Sequence, residues 1–176
     1  MAGKAVLRAF FGILVITVWI LGSTAHAGAE TIKCQTSGNS VKREVMQIPD
    51  VEGHTIVMGI RDGLAFFEDG EVAAFRNFHT ADVIAGKGVL TQGYQFFTFV
   101  DGSTIITSFR QNQEPDPGGK LAWITKAAGE ILKGTGRFEG IKGSLSGTGK
   151  QFKAEKGELT GKSAGNWIIT YTLPSK

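Results

Sequence analysis

The side chains best suited to acid–base chemistry in this sequence are its histidines and the glutamates that lie near them. The sequence contains three histidines, of which His54 and His79 lie well inside the chain. Imidazole titrates closest to neutral pH, and a carboxylate can act beside it as acid or base. Glu44 and His54 are therefore the candidate catalytic residues. These residues do not show the clustered spacing of metal ligands, so no metal site is predicted.

The role of Glu44 depends on the environment of its carboxylate. It lies in the segment VKREVMQI, where it shares a face with Met46 and Ile48 if residues 41–48 form a strand. Burial on that face would raise the pKa of Glu44 and suit it to proton transfer. The alternative is an exterior strand on which the carboxylate is solvated. The sequence leaves both environments open.

A second set of side chains suits the binding of a small apolar or aromatic molecule. Arg110 could bind a carboxylate at the rim of the fold, although rim cations are common on soluble proteins. The aromatic residues could stack against an aromatic ligand or pack in the core. The predicted ligand contacts are Phe75, Asn77, Tyr94, Phe96, Thr98, Thr107 and Arg110.

Two common kinds of functional site are excluded by the sequence. The glycine-rich segment 134–150 ends in Gly149-Lys150, but Ser144 stands where a phosphate-binding loop needs glycine, and Gln151 stands where it needs Ser or Thr. Cys34 is the only cysteine, which rules out an intramolecular disulfide and zinc sites built on cysteine pairs. We expect no cofactor.

Residues 1–27 have the pattern of a signal peptide. Lys4 and Arg8 precede an apolar core at residues 10–21, and Ala25-His26-Ala27 fits a cleavage site. The apolar core is shorter than the roughly 20 residues that span a membrane, so no stable membrane insertion is expected after cleavage. Removal of this segment lowers the formal net charge from +3 to +1, which gives no basic field for nucleic acid. The predicted location is periplasmic or secreted.

The elements that would position these side chains are short strands. Residues 28–40 are small and polar and are predicted to form a flexible leader, with Cys34 either a reactive thiol or an incidental residue within it. The stretch 86–110 predicts a hairpin with a two-residue turn at Asp101-Gly102, so that Val100 faces Ser103. On that pairing, one face carries Tyr94, Phe96, Thr98, Ile105 and Thr107, and the other carries Phe97, Phe99, Thr104 and Ile106.

Aromatic side chains on both faces of one hairpin are typical of a barrel wall with a lined interior and a covered exterior. No segment shows a sustained helical period, and turn residues separate short alternating runs along the chain. We therefore predict one all-β barrel domain over residues 41–176. Its outward face must be covered, and a second copy of the chain is the expected cover.

Two motifs carry a resemblance to a known group of barrels. The stretch GKGVLTQGYQFFTFVDGSTIITSF and the later KGTGRFEGIKGSLSGTG resemble the allene oxide cyclase-like group, which includes dirigent proteins and exported bacterial proteins. The resemblance covers residues 41–173. It implies a calycin-like, eight-stranded antiparallel β-barrel with a small-molecule cavity, often assembled as a homotrimer.

Two functions follow as hypotheses. The first is an exported barrel that binds a small apolar or aromatic molecule and steers its isomerisation or cyclisation, as a cofactor-independent isomerase if it is an enzyme. The second is a non-catalytic structural or interaction barrel whose interior is filled by side chains. An eight-stranded barrel can be built either way. A connected interior cavity would favour the first hypothesis, and a filled interior would favour the second.

Overall fold

The computed structural model describes residues 28–175, which form a closed barrel of eight antiparallel strands in chain order. The strands are β1 Glu30–Gln47, β2 His54–Phe67, β3 Val72–Ile84, β4 Gly88–Phe99, β5 Thr104–Pro115, β6 Trp123–Thr135, β7 Lys142–Gln151 and β8 Ser163–Thr172, with a 3₁₀ turn at Gly136–Phe138. The predicted all-β, eight-stranded antiparallel barrel is confirmed. The predicted signal peptide lies outside the described residues. Within residues 28–175, no helix is long and apolar enough to cross a membrane.

The predicted leader is wrong from Glu30 onward, because residues 30–40 form the first half of β1. Cys34 pairs with Phe67 of β2 on one side and with Trp167 of β8 on the other, so this half-strand closes the barrel. The side chains of this segment alternate between the inner and outer face, and Cys34 and Thr36 face inward at 3% and 7% exposure. The alternation is not evident from the sequence, because the residues are small and polar. Burial raises the pKa of the Cys34 thiol to about 12, which argues against a reactive thiolate.

The predicted register of the central hairpin is wrong by one residue. The amide of Phe99 donates to the carbonyl of Ser103 at 2.9 Å, and Thr98 pairs with Thr104. The loop therefore has three residues, 100–102, and ends at Gly102 with a φ of 82°. Loops of this length commonly place glycine in the left-handed region. The Asp101 carboxylate, which accepts from the Ser103 amide at 2.9 Å, stabilises the turn.

The corrected register brings the buried side chains of the hairpin onto one face. Phe97, Phe99, Ile105 and Thr107 all point inward, and each is less than 5% exposed. They pack with Phe67, whose ring lies edge-on to Phe97 at 6.0 Å between centroids. This cluster fills the end of the barrel formed by the turns at 68–71 and 100–102 and by the 3₁₀ turn, which we call the plug end. The opposite end, the cavity end, is not filled in this way.

Candidate functional site

A cavity of about 220 Å³ occupies the lumen on the cavity-end side of the plug. Side chains from all eight strands line it. Its apolar wall includes Trp123, Trp167 and Phe75, together with Val57 and Val89. The indole nitrogen of Trp167 donates to the Thr36 hydroxyl at 3.1 Å, which holds that ring in place. The wall therefore presents flat aromatic surfaces to whatever enters the lumen.

A row of polar side chains crosses the inner wall between the plug and the apolar side chains of Val57, Val89 and Trp123. Register pairs join Ser40 to Arg61, Arg61 to Asn77, Asn77 to Gln95, and Gln95 to Thr107. All five belong to the inward-facing positions of their strands, and all but Thr107 line the cavity. We call these five residues the polar row. The polar row thus crosses the lumen near the plug, and the cavity end is lined both by the apolar Val57, Val89 and Trp123 and by the hydrogen-bonded Thr91, Gln113 and Thr125.

Arg61 is the charged member of the polar row and has almost no partner. Its Nη2 donates one long hydrogen bond of 3.4 Å to Oε1 of Gln151. Its Nε is shut off from solvent and has no acceptor among residues 28–175, and the side-chain nitrogen of Gln95 is in the same state. Burial lowers the pKa of Arg61 from its ordinary value. Buried donors without acceptors cost free energy. Nη1 of Arg61 makes no hydrogen bond among the described residues and, unlike Nε, is not shut off from solvent, so it can donate to an acceptor in the lumen.

His79 lies beside this row as a neutral base. Its Nδ1 lies 2.7 Å from Oδ1 of Asn77, which can only accept, so Nδ1 carries the proton and Nε2 keeps its lone pair. Gly59 makes room for the ring, because a Cβ at Gly59 would lie only 2.5 Å from Nε2. Burial, and secondly the positive charge of Arg61, lowers the pKa of His79 to about 4. The imidazole is therefore uncharged at neutral pH.

The charges that line the cavity are all positive. The charged lining residues are Lys42, Arg43, Arg61 and Lys150, and none of the described residues lining the cavity is Asp or Glu. Lys42 is paired with the exterior Glu44, whose carboxylate lies 2.9 Å from its ammonium group. No such ion pair is formed by Arg43, Arg61 or Lys150 in the part of the chain that the structure describes. Lys42 and Lys150 occupy outward-facing positions and Arg43 is exposed at the rim, so the positive charge inside the lumen is that of Arg61.

The predicted ligand contacts divide into an inner and an outer group. Phe75 and Asn77 line the cavity. Thr107 faces inward but is fully buried, and its hydroxyl donates to the Gln95 carbonyl at 3.4 Å.

The other four, Tyr94, Phe96, Thr98 and Arg110, lie on the outer wall and cannot contact a ligand in the lumen. On β4 the inward positions are those of Gln95, Phe97 and Phe99, so the even-numbered residues between them point outward. Tyr94 is 55% exposed, whereas Gln95 is 1% exposed. The correction follows from the alternation of a strand, in which neighbouring side chains face opposite sides.

The predicted catalytic residues also lie away from the lumen and do not form a pair. Glu44 lies on the outer face of β1. The ammonium group of Lys42 lowers the pKa of the Glu44 carboxylate, whereas the predicted burial would have raised that pKa. His54 lies near the barrel rim, with Nδ1 2.6 Å from Asp50 and Nε2 2.9 Å from Asp82. These carboxylates raise the pKa of His54. Within residues 28–175, no group of three or more His, Cys, Asp and Glu residues is arranged to hold a metal ion.

Three residues central to the lumen, Arg61, His79 and Gln95, were not among the predicted site residues, although His79 was named as an acid–base candidate. The signal for His79 was present, because it shares the inward face of β3 with Phe75 and Asn77. Arg61 follows Val57 and Gly59 at two-residue intervals on β2, but an arginine on an alternating strand is usually assigned to solvent.

The outer wall carries a second, open concavity of about 1080 Å³. It is lined by Met58, Phe78, Tyr94 and Arg110 among others, and Met58 is 56% exposed. The ring of Phe78 lies edge-on to Phe96 at 5.7 Å, which extends the apolar surface. We call this region the outer groove. It is the surface for which the sequence predicted a covering copy of the chain.

No protein-family model and no curated protein sequence matches this chain. Among solved structures, the pterocarpan synthase dirigent protein GePTS1 is similar at 13% identity and a TM-score of 0.47, over 84% of this chain and 92% of that one. The pterocarpan synthase dirigent protein PsPTS1 is similar at 14% identity and a TM-score of 0.46, over 85% of this chain and 97% of that one. The eight-stranded barrel itself rests on the strand pairing of this chain.

Proposed function

We propose that this protein binds a small apolar or aromatic molecule inside its barrel. The observation that carries the proposal is the lumenal cavity of about 220 Å³, with its aromatic wall of Trp123, Trp167 and Phe75. Pockets for drug-sized ligands occupy about 300–1,000 Å³, so the expected ligand is smaller, with a single ring or a short chain.

The alternative, a structural barrel with a filled interior, accounts for only one end of the molecule. The plug end is packed with aromatic and branched side chains. Beyond it, the lumen holds space beside Arg61 and Gln95, whose Nε and side-chain nitrogen have no acceptor among residues 28–175. A barrel with a purely structural role gains nothing from such groups, because each lowers the stability of the fold.

The finer proposal is that the lumen steers isomerisation or cyclisation of its ligand without a cofactor. An enclosed wall selects one ligand conformation, which lowers the entropic part of the barrier. The neutral His79 supplies a lone pair at Nε2 that can accept a proton or a hydrogen bond. If residues 1–27 are removed as a signal peptide, the reaction would take place in the periplasm or outside the cell.

Binding can be tested with benzyl alcohol, a neutral single-ring probe, in ligand-observed NMR with the purified protein. We expect saturable binding of about millimolar affinity, as suits so few atoms. Ala127 lines the lumen and Ala128 lies on the outer wall beside it, which offers a matched pair of variants.

Ala127→Phe should abolish the binding by filling the cavity, and Ala128→Phe should leave it unchanged. Native mass spectrometry of the same wild-type preparation would reveal a co-purifying ligand. Equal binding by both variants, or no saturable binding by the wild type, would refute the proposal.

A further inference from the structure

We propose that the ligand of the lumen is a carboxylate, an aromatic or short apolar acid whose anionic group binds the guanidinium of Arg61. This inference rests on the proposed function and makes the chemical class of the ligand specific. It assigns Arg61 as the residue that determines specificity. The apolar part of the ligand would lie against Trp123, Val57 and Val89, toward the cavity end.

The first argument is that Arg61 lacks the partner that a buried arginine needs. A guanidinium has five N–H donors, but the described structure gives this one a single hydrogen bond of 3.4 Å, to the neutral amide of Gln151. The neighbouring Asp62 cannot serve, because Arg76 binds both of its oxygens on the outer wall at 2.7 and 2.6 Å. The exposed arginine of this pair of strands thus has a carboxylate, and the lumenal one has none.

The second argument is the sign of the charge around the cavity. Arg43, which pairs with Gly59 and is exposed at the rim, adds a second cation beside Arg61, and no acidic side chain lines the cavity among the residues the structure describes. A cationic ligand would be repelled by these two arginines, neither of which has an ion-pair partner among the described residues. Charges in a lumen partly shielded from water interact more strongly than charges on the surface, so an anion is favoured there.

The third argument is the arrangement of polar and apolar surface along the lumen. Arg61 and Gln95 hold their unpaired donors in the polar row. The apolar wall formed by Val57, Val89 and Trp123 lies nearer the cavity end. A molecule with a carboxylate at one end and a ring at the other matches this order. Its planar carboxylate can accept two parallel hydrogen bonds from a guanidinium.

The test compares benzoate with benzyl alcohol, two probes of similar size that differ in charge, at low ionic strength. We expect the wild-type protein to bind benzoate at least tenfold more tightly. Arg61→Met keeps the length of the side chain and removes its charge, and should weaken benzoate binding to the level of benzyl alcohol. Arg76→Met, on the outer wall, should keep the wild-type preference.

A measurement on the wild-type protein alone guards against a variant that does not fold. Benzoate should raise the melting temperature more than benzyl alcohol does at the same concentration, because only benzoate compensates the buried charge. Equal affinities or equal thermal shifts for the two probes would overturn the carboxylate inference and leave the binding barrel intact. If neither probe binds the wild type, the proposed function itself fails.

Discussion

The corrected orientation of β4 makes a sharp prediction about two adjacent phenylalanines. Phe97 points into the plug and is 0% exposed, and its ring packs edge-on against Phe67. Phe96 points outward, is only partly buried, and contacts the exposed Phe78 at 5.7 Å between centroids. Substitution of each by alanine removes the same atoms from opposite faces of one strand. The pair therefore measures which face of the hairpin is the interior.

The two substitutions should differ in free energy of unfolding by at least about 2 kcal/mol. Truncation of a fully buried phenylalanine to alanine typically costs about 3–5 kcal/mol, because apolar contact is lost and a cavity remains. Phe96→Ala forfeits an edge-to-face pair of about 0.5–1.5 kcal/mol and a fraction of its burial. For a domain of this size each kcal/mol corresponds to about 2–4 °C in melting temperature. We expect a drop of about 10 °C for Phe97→Ala and about 5 °C or less for Phe96→Ala.

Urea denaturation of the two variants and the wild type, followed by circular dichroism, measures the difference directly. The m-values should agree within error, so that the shift in midpoint reports stability. A Phe96→Ala variant as destabilised as Phe97→Ala, or more so, would mean that the register of β4 and β5 described here is wrong.

Three further predictions concern the turn, the rim and the outer wall. Gly102→Val should lower the free energy of unfolding by about 1–2 kcal/mol, because Gly102 has a φ of 82°. The control Gly28→Val should be neutral, since no atom lies within 4 Å of the new Cβ. An unchanged unfolding midpoint for Gly102→Val would contradict the turn. Asp50 and Asp82 raise the pKa of His54, so the stability that this contact adds is complete below the ordinary histidine pKa and is lost as pH rises through the raised value. The pKa of Asp50 is lowered, so the stability that its carboxylate adds is lost as pH falls. Because the pKa of His79 is lowered to about 4, the whole protein loses stability as pH falls below the ordinary histidine pKa, so the contact is measured as the difference between the wild type and His54→Gln. The melting temperature of the wild type should exceed that of His54→Gln by the largest margin between about pH 4 and 6.5, the ordinary pKa values of Asp and His, and the margin should shrink above that window. Parallel wild-type and variant profiles would be evidence against the contact. Finally, we expect a homotrimer in sedimentation at micromolar concentration, with the outer groove covered by a neighbouring copy, and a stable monomer would refute this assembly.

Much of the fold followed from local sequence patterns. Runs of β-formers with a period of two, separated by turn residues, are sufficient to predict an all-β domain. Asp101-Gly102 correctly marks the central hairpin, and Gly102 has the positive φ that such a turn requires. These features depend on residues close together in the chain, which is why they could be predicted without knowledge of the tertiary structure.

The first strand could not be predicted in the same way. Residues 30–40 are too small and polar to show a β preference, yet Cys34 has a strand partner on each side. Closure of the barrel requires a strand between β2 and β8, and the backbone hydrogen bonds made there outweigh the weak local propensity. Strand formation at this place is a property of the closed sheet.

The candidate site was the least predictable part, because it depends on register. Since the side chains of a strand alternate with a period of two, one extra residue in the loop at 100–102 changes which side chains of β4 and β5 share a face. The sequence prediction grouped the inward face of β3 correctly, and Phe75 and Asn77 on that face line the lumen. Tyr94 and Phe96 were assigned to a face that the structure turns outward.

By itself, the sequence determined the class of the fold, the positions of its turns and the alternation of its strands. Only the tertiary structure decided which alternate set of side chains faces the lumen, and that Arg61, His79 and Gln95 meet there. The physical reason is that closure of the barrel joins residues from distant strands through a register that no local interaction specifies. Burial then gives these side chains their chemistry: His79 is neutral with a pKa of about 4, and the Nε of Arg61 has no acceptor among the described residues.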